Sequence, residues 1–75
     1  MKIKVLTFGS ITDILNREFY VEALDTNSLM ASLIERHNSL KERKLLIAVN
    51  NTIVQENTIL NEHDVVNIMP PYSGG

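Results

Sequence analysis

The sequence predicts an α+β domain, a sheet of four to five strands packed on one main helix. Three observations carry that expectation. Apolar residues recur at spacings of three and four in one long stretch only, residues 29–37. Five other stretches alternate apolar with polar residues or form short apolar runs, as strands do. The chain has 75 residues and no cysteine. Neither a disulfide framework nor a cysteine-based zinc site can therefore supplement a core that is small at this length. Regular packing of sheet on helix must supply the stability.

The first strand is expected over residues 2–8, where lysine alternates with β-branched residues. Ile3 and Val5 face the core; Leu6 and Phe8 lie on the other side. Ser10-Ile11-Thr12-Asp13 resembles a capping box, with Asp13 in the place usually taken by Glu or Gln. It predicts a short helical turn carrying Ile14 and Leu15. Residues 18–24 read as a second strand with Phe19, Val21 and Ala23 inward, because Glu18 and Glu22 share the opposite face. Asp25-Thr26-Asn27-Ser28 supplies helix caps, and Asp25 is the expected N-cap. Leu29, Met30, Leu33, Ile34 and His37 make the apolar stripe, with Leu40 as an anchor beyond it. Ser32, Glu35 and Arg36 take the wet side. His37, near the helix C-terminus, suits a dipole contact or a surface hydrogen bond; no second metal ligand is close to it in sequence.

Residues 41–44 lead to Leu45-Leu46-Ile47-Ala48-Val49, a run apolar on both faces, as in a central strand. Asn50-Asn51 predicts a tight hairpin turn, because Asn tolerates positive φ. The return strand, residues 52–55, turns Val54 inward and Ile53 outward. Ile59 and Leu60 are expected to plug one end of the core. Residues 61–64 form a polar turn in which His63 is solvated. The last strand, residues 65–69, places Val66 and Ile68 inward and Val65, Asn67 and Met69 outward. The helix covers one sheet face. Phe8, Ile53 and Met69 remain on the other, with Leu6 and Ala48 beside them. Three strands that each expose an apolar residue on one side form a pattern suited to a partner surface.

Charge and motif content narrow the function classes. The net charge is −2, which argues against nucleic acid as the main partner, since that binding needs clustered positive charge. The one basic cluster, Lys41, Arg43 and Lys44, is interrupted by Glu42 and reads as a solvated turn. No apolar run approaches the ~20 residues of a membrane span, and the N-terminus lacks the apolar core of a signal peptide. A cytoplasmic location is the default expectation. The chain offers no cysteine nucleophile, no paired histidine and carboxylate, and no phosphate-cradling glycine loop; its glycines are Gly9, Gly74 and Gly75.

The most distinctive stretch is the end of the chain. The body spans residues 1–69, and Pro70-Pro71-Tyr72-Ser73-Gly74-Gly75 forms a separate tail. A frayed end would account for the Gly-Gly pair alone. Here, however, two prolines follow directly on a strand pattern and stiffen the exit. Gly-Gly is the thinnest backbone available for close approach to another surface. Six extended residues reach about 20 Å, enough to enter a partner's active site from a docked body.

These pieces together resemble a known family. Ile3-Lys4-Val5-Leu6, the run Ala48-Val49-Asn50, Leu60 before a polar turn ending in Asp64, and above all the Pro-Pro-x-Ser-Gly-Gly tail are similar to the ubiquitin-related β-grasp sulfur carriers, specifically the small subunits of molybdopterin synthase. The likeness covers essentially the whole chain. Thiamin-type carriers also end in Gly-Gly but usually lack the Pro-Pro. This chain departs from the pattern at Tyr72, where the family often has Val, at Met69, where it has an aromatic residue, and around His63, where it often has Gly.

The resemblance implies a mixed β-grasp sheet and a role as a sulfur donor. It implies that Gly75 is adenylated by an activating enzyme using ATP and Mg²⁺, then converted to a thiocarboxylate. The chain itself would bind no cofactor and no metal. Ser73 and Gly74 would line a narrow passage in the large synthase subunit, and sulfur would pass to cyclic pyranopterin monophosphate. Phe8, Ile53 and Met69 match positions with which the family docks the large subunit. The implied assembly is a heterotetramer, two small subunits flanking a large-subunit dimer. A carrier for thiamin, amino-acid or tRNA thiolation, a ubiquitin-like modifier joined to lysines through Gly75, and a plain binding module with an inert tail are the alternatives.

Overall fold

The two ends of the body meet at the middle of one sheet. Strand β1 (Lys2–Thr7) runs parallel to β5 (Val65–Met69), in register from Lys4 opposite Val65 to Thr7 opposite Ile68. β2 (Glu18–Glu22) pairs antiparallel with β1 on one side. β3 (Leu46–Val49) pairs antiparallel with β5 on the other, and β4 (Thr52–Val54) closes the sheet beyond it. The order is β2-β1-β5-β3-β4. The computed structural model describes residues 2–71, and over them the fold is the expected mixed sheet on one main helix, a β-grasp.

Helix α1 (Thr26–Arg36) lies across one sheet face. Its stripe delivers Leu29 and Leu33 to the core, with Met30 and Ile34 half-buried beside them. From the sheet come Ile3, Val5, Val21, Val66 and Ile68, all buried. Each fully buried side chain of this size contributes about 1.5–3 kcal/mol relative to exposure. The alternation read from the sequence therefore sets the register: a one-residue slip would turn every one of these side chains to solvent. Leu40 is buried as expected, but a 3-10 turn (Asn38–Glu42) after the helix carries it inward. The backbone N–H of His37 makes the closing bond to Leu33 O at 2.8 Å; the ring makes no hydrogen bond among the described residues.

Local polar chemistry fixes the joints. Asp25 is the N-cap, and its Oδ1 accepts from Ser28 N at 2.8 Å, while Ser28 Oγ accepts in return from Asp25 N at 3.3 Å. Asn57, from the far connection, donates through Nδ2 to Asp25 Oδ2 at 3.3 Å and accepts from Asn27 N at 2.9 Å. In the turn between β3 and β4, Asn50 and Asn51 have φ of 51° and 71°, the paired positive values of a two-residue hairpin turn. The Asn50 side chain ties that turn to β5. Its Oδ1 accepts from Val65 N at 3.0 Å, and its Nδ2 donates to Asp64 Oδ1 at 2.8 Å.

Three local expectations are corrected. Residues 10–13 do not form a capping box. The turn is a 3-10 helix (Gly9–Asp13) whose N-cap is Phe8, without a side-chain cap bond. Gly9, at φ +69°, starts the turn two residues earlier than the Ser-x-x-Asp reading allows, and Thr12 Oγ1 donates back to Gly9 O at 2.9 Å. Ile11, rather than Ile14, is its fully buried residue. The second strand stops at Glu22, although Ala23 still faces inward. Ile59 does not plug the core but is 69% exposed. It forms an isolated bridge opposite Asp25, with Leu60 N donating to Leu24 O. An extended segment alternates its side chains, so burying Leu60 turns Ile59 out. No helix among the described residues is long and apolar enough to cross a membrane.

Candidate functional site on the open sheet face

The face away from the helix is built by strand alternation. In one row across the sheet, Leu6 of β1 stands opposite Asn67 of β5, Asn67 opposite Ala48 of β3, and Ala48 opposite Ile53 of β4. In the next row Met69 stands opposite Leu46. Phe8 continues β1 with extended dihedrals, and its N–H donates to Ile68 O at 3.1 Å, which sets it alongside Met69. Phe8 is 47% and Ile53 54% exposed, Met69, Leu6 and Leu46 are half-buried, and Ala48 is closed over. The structure thus brings Phe8 and Met69 together and sets Ile53 one row along and two strands over, with Ala48 and Asn67 between them. At the β2 edge the face turns polar, where Lys4 and Glu18 approach at 3.8 Å. Both are substantially exposed, so this pair contributes little to stability.

Asn67 is the residue that sequence reasoning passed over. It was expected outward and is outward, but its setting was not legible. Its Nδ2 donates to Asn51 Oδ1 at 3.3 Å, whereas its Oδ1 is buried without a hydrogen-bond partner. The one available signal was Asn itself, a poor strand former, in the middle of Val65-Val66-Asn67-Ile68-Met69.

The root of the tail adjoins this face. β5 ends at Met69 and passes directly to Pro70 and Pro71. A Cβ on Gly9 would stand 2.8 Å from Pro70 Cγ and 3.0 Å from its Cδ, so the first proline is seated directly on the backbone that follows Phe8. A notch of about 210 Å³, lined by Ser10, Ile11, Arg43, Lys44, Leu45, Pro70 and Pro71, opens beside it. A wider open groove of about 570 Å³ runs past Leu6, Phe8, Gly9 and Arg17. The expected acyl site Gly75 and the expected passage residues Ser73 and Gly74 lie outside the described residues.

No group of three or more His, Asp or Glu side chains among the described residues could hold a metal ion. The two perturbed carboxyls are structural. The Ser28 backbone N–H, with the side chains of Ser28 and Asn57, holds Asp25 below the ordinary aspartate range. The Asn61 N–H, with the Asn50 amide, does the same for Asp64. What the arrangement offers is a rigid apolar face continuous with a stiffened exit.

A profile of the ThiS family matches residues 5–75. A chain from the protein–protein complex of subunits 1 and 2 of molybdopterin-converting factor from Helicobacter pylori 26695 is 32% identical, with both chains covered in full and a TM-score of 0.77. A Pyrococcus furiosus protein assigned as subunit 1 of molybdopterin converting factor is 26% identical over 96% of this chain and 99% of its own, with a TM-score of 0.86. The small archaeal modifier protein 1 from Methanosarcina acetivorans, 21% identical over 99% of this chain and 96% of its own, shares the fold, with a TM-score of 0.83. The chain belongs to the ThiS family and is a small ubiquitin-like β-grasp protein homologous to subunit 1 of molybdopterin-converting factor.

Proposed function

We propose that this chain is the sulfur-carrier small subunit of molybdopterin synthase, a non-catalytic donor that works in the cytoplasm on a large subunit carrying the active-site pocket. One observation supports this reading above the others. The central strand β5 runs straight from the apolar face, at Met69, into the Pro70-Pro71 exit that Gly9 seats. A partner docked on Phe8, Ile53 and Met69 therefore receives the tail at a fixed point and in a fixed direction. Residues 1–69 act as the body and residues 70–75 as the arm.

The reactive group is the α-carboxylate of Gly75. A carboxylate is a poor acyl donor because its leaving group would be oxide. An activating enzyme with ATP and Mg²⁺ converts it to an acyl-adenylate, releasing pyrophosphate. A sulfur donor then displaces AMP and leaves a thiocarboxylate. Ser73 and Gly74 present little bulk, so the loaded end threads into the large subunit and gives its sulfur to cyclic pyranopterin monophosphate. Two transfers supply the dithiolene. Docking contributes proximity, which is worth several kcal/mol of barrier for a well-placed group. The assembly is a heterotetramer of two carriers on a large-subunit dimer. Pro70-Pro71 favours this pathway over thiamin synthesis, amino-acid synthesis or tRNA thiolation, and conjugation to lysines would show instead as high-molecular-weight adducts in cells.

Intact-mass measurement tests the reading. After incubation with the activating enzyme, ATP, Mg²⁺ and a sulfide source, the full chain gains the mass of an oxygen-to-sulfur exchange. The variant lacking Gly75 does not, although it unfolds as cooperatively as the parent. Failure of the intact chain to load, or failure of the loaded chain to convert substrate with the large subunit, would refute it.

A further inference from the structure

We infer that Asn67 is a specificity-determining residue of the docking face, whose Oδ1 accepts a hydrogen bond from an N–H or O–H donor on the large subunit. The inference rests on the reading above, that the large subunit covers the open face. It adds what that partner must present at the centre of its apolar contact.

Asn67 occupies the middle of the central strand, where its own strand neighbours on the face, Val65 and Met69, are apolar. Its cross-strand neighbours, Leu6 and Ala48, are apolar as well. Asn is depleted in strands because its amide competes for local backbone hydrogen bonds and packs poorly. Here only half of that amide is satisfied. Nδ2 reaches Asn51 Oδ1 at 3.3 Å, and Oδ1 is shut away from solvent with no partner. A buried orphan acceptor is unfavourable, and few occur in a native fold. A side chain that breaks local preference and leaves an acceptor unmade in the free chain has its reason in another state of the molecule. The bound state supplies one. The sheet beneath is paired on both sides of β5, Leu6 and Met69 are half-buried rather than locked, and Ile53 is largely exposed. A small shift of these side chains, or a swing of the amide about its soft terminal torsion, opens the oxygen to a donor seated between Phe8 and Ile53. Apolar contact alone tolerates sliding; one buried hydrogen bond fixes the register and rejects a partner that lacks the donor.

The test replaces the acceptor by a side chain of similar size. Asn67→Leu is compared with the parent and with Phe8→Asp for binding to the large synthase subunit by calorimetry, and for thermal unfolding of each free chain. The expected result has opposite signs. The free Asn67→Leu chain melts several degrees higher, because the orphan is gone, yet binds the large subunit about tenfold or more weakly, because a donor is left unmade in the complex. Asn67→Ala weakens binding in the same direction and guards against a steric effect of leucine. If both Asn67 variants bind as well as the parent while Phe8→Asp binds poorly, the role of Asn67 is overturned and the docking face stands. If Phe8→Asp also binds as well as the parent, the docking face itself is wrong and the role of Asn67 falls with it.

Discussion

Two residues with positive φ show how position can outrank residue type. Gly9, at φ +69°, is followed by a turn and covered by Pro70. An alanine there meets two obstacles: the left-handed conformation, unfavourable by roughly 1–2 kcal/mol for a residue with a Cβ, and the proline ring 2.8 Å from where the Cβ would stand. Relief comes by moving Pro70, so Gly9→Ala is expected to lower stability by about 1–2 kcal/mol and to re-aim the tail. Denaturant unfolding reads the first effect. Sulfur transfer measured with pre-loaded protein reads the second, and it should fall by more than the loss of folded protein explains. Sequence reading identified Gly9 only as a glycine, because its partner lies at the opposite end of the chain. His63 was more legible. It holds φ +77° in the turn where the family resemblance already expected a glycine, so the strained position was visible as a departure from pattern.

Among the elements, the helix was the most legible and its anchorage the least. Asp25 as N-cap and the Leu29–Leu33 stripe followed from spacing alone. The return contact from Asn57 did not, since nothing local marks an asparagine 32 residues along the chain as the second ligand of that cap. The same blindness explains Ile59: hydrophobicity predicts an inward side chain, and only the bridge opposite Asp25 shows that Leu60 takes that place. These polar joints give the fold a pH signature. Hydrogen bonds from the Ser28 backbone, then from the Ser28 and Asn57 side chains, lower the Asp25 pKa, and those from Asn61 and Asn50 lower that of Asp64. A carboxyl with a depressed folded pKa contributes stability that is fully present above its unfolded value. That stability is lost as pH falls through the folded value. Unfolding free energy should therefore hold near neutrality and decline below about pH 5, where unfolded aspartate begins to protonate. Asp25→Asn keeps a competent N-cap but cannot titrate, so its stability profile should be flatter on the acid side. Asp25→Ala should be less stable throughout. Urea midpoints collected between pH 2 and pH 7 separate the three, and identical acid limbs for parent and Asp25→Asn would contradict the assignment.

For the whole molecule the decisive division is between a face that folds the chain and a face that is left over. The helix side is closed by leucine, isoleucine and valine, and its pattern was readable because strand alternation and helical spacing agree on the same core. The open side was readable only in outline. The outward placement of Phe8, Ile53 and Met69 followed from alternation, but their mutual arrangement depends on β1 lying parallel to β5, a pairing of chain ends that no local pattern encodes. This arrangement makes Phe8 the most informative single position. It stands beside Met69 at the point where face and tail exit join, and at 47% exposure it is tied into little of the core. An aspartate there can remain hydrated in the free chain, so Phe8→Asp should fold with a melting temperature close to that of the parent. In the complex the same carboxylate would be buried against an apolar partner surface without a counter-charge. Removing an aromatic hot-spot anchor forfeits about 2 kcal/mol or more, and the stranded charge adds to that. Binding to the large subunit should therefore weaken by at least about thirtyfold, while the free chain still unfolds cooperatively. Calorimetric titration against the large subunit, run beside thermal unfolding of the same preparation, distinguishes a lost interface from a lost fold. Parent-like affinity in the folded variant would place the docking surface elsewhere on the molecule.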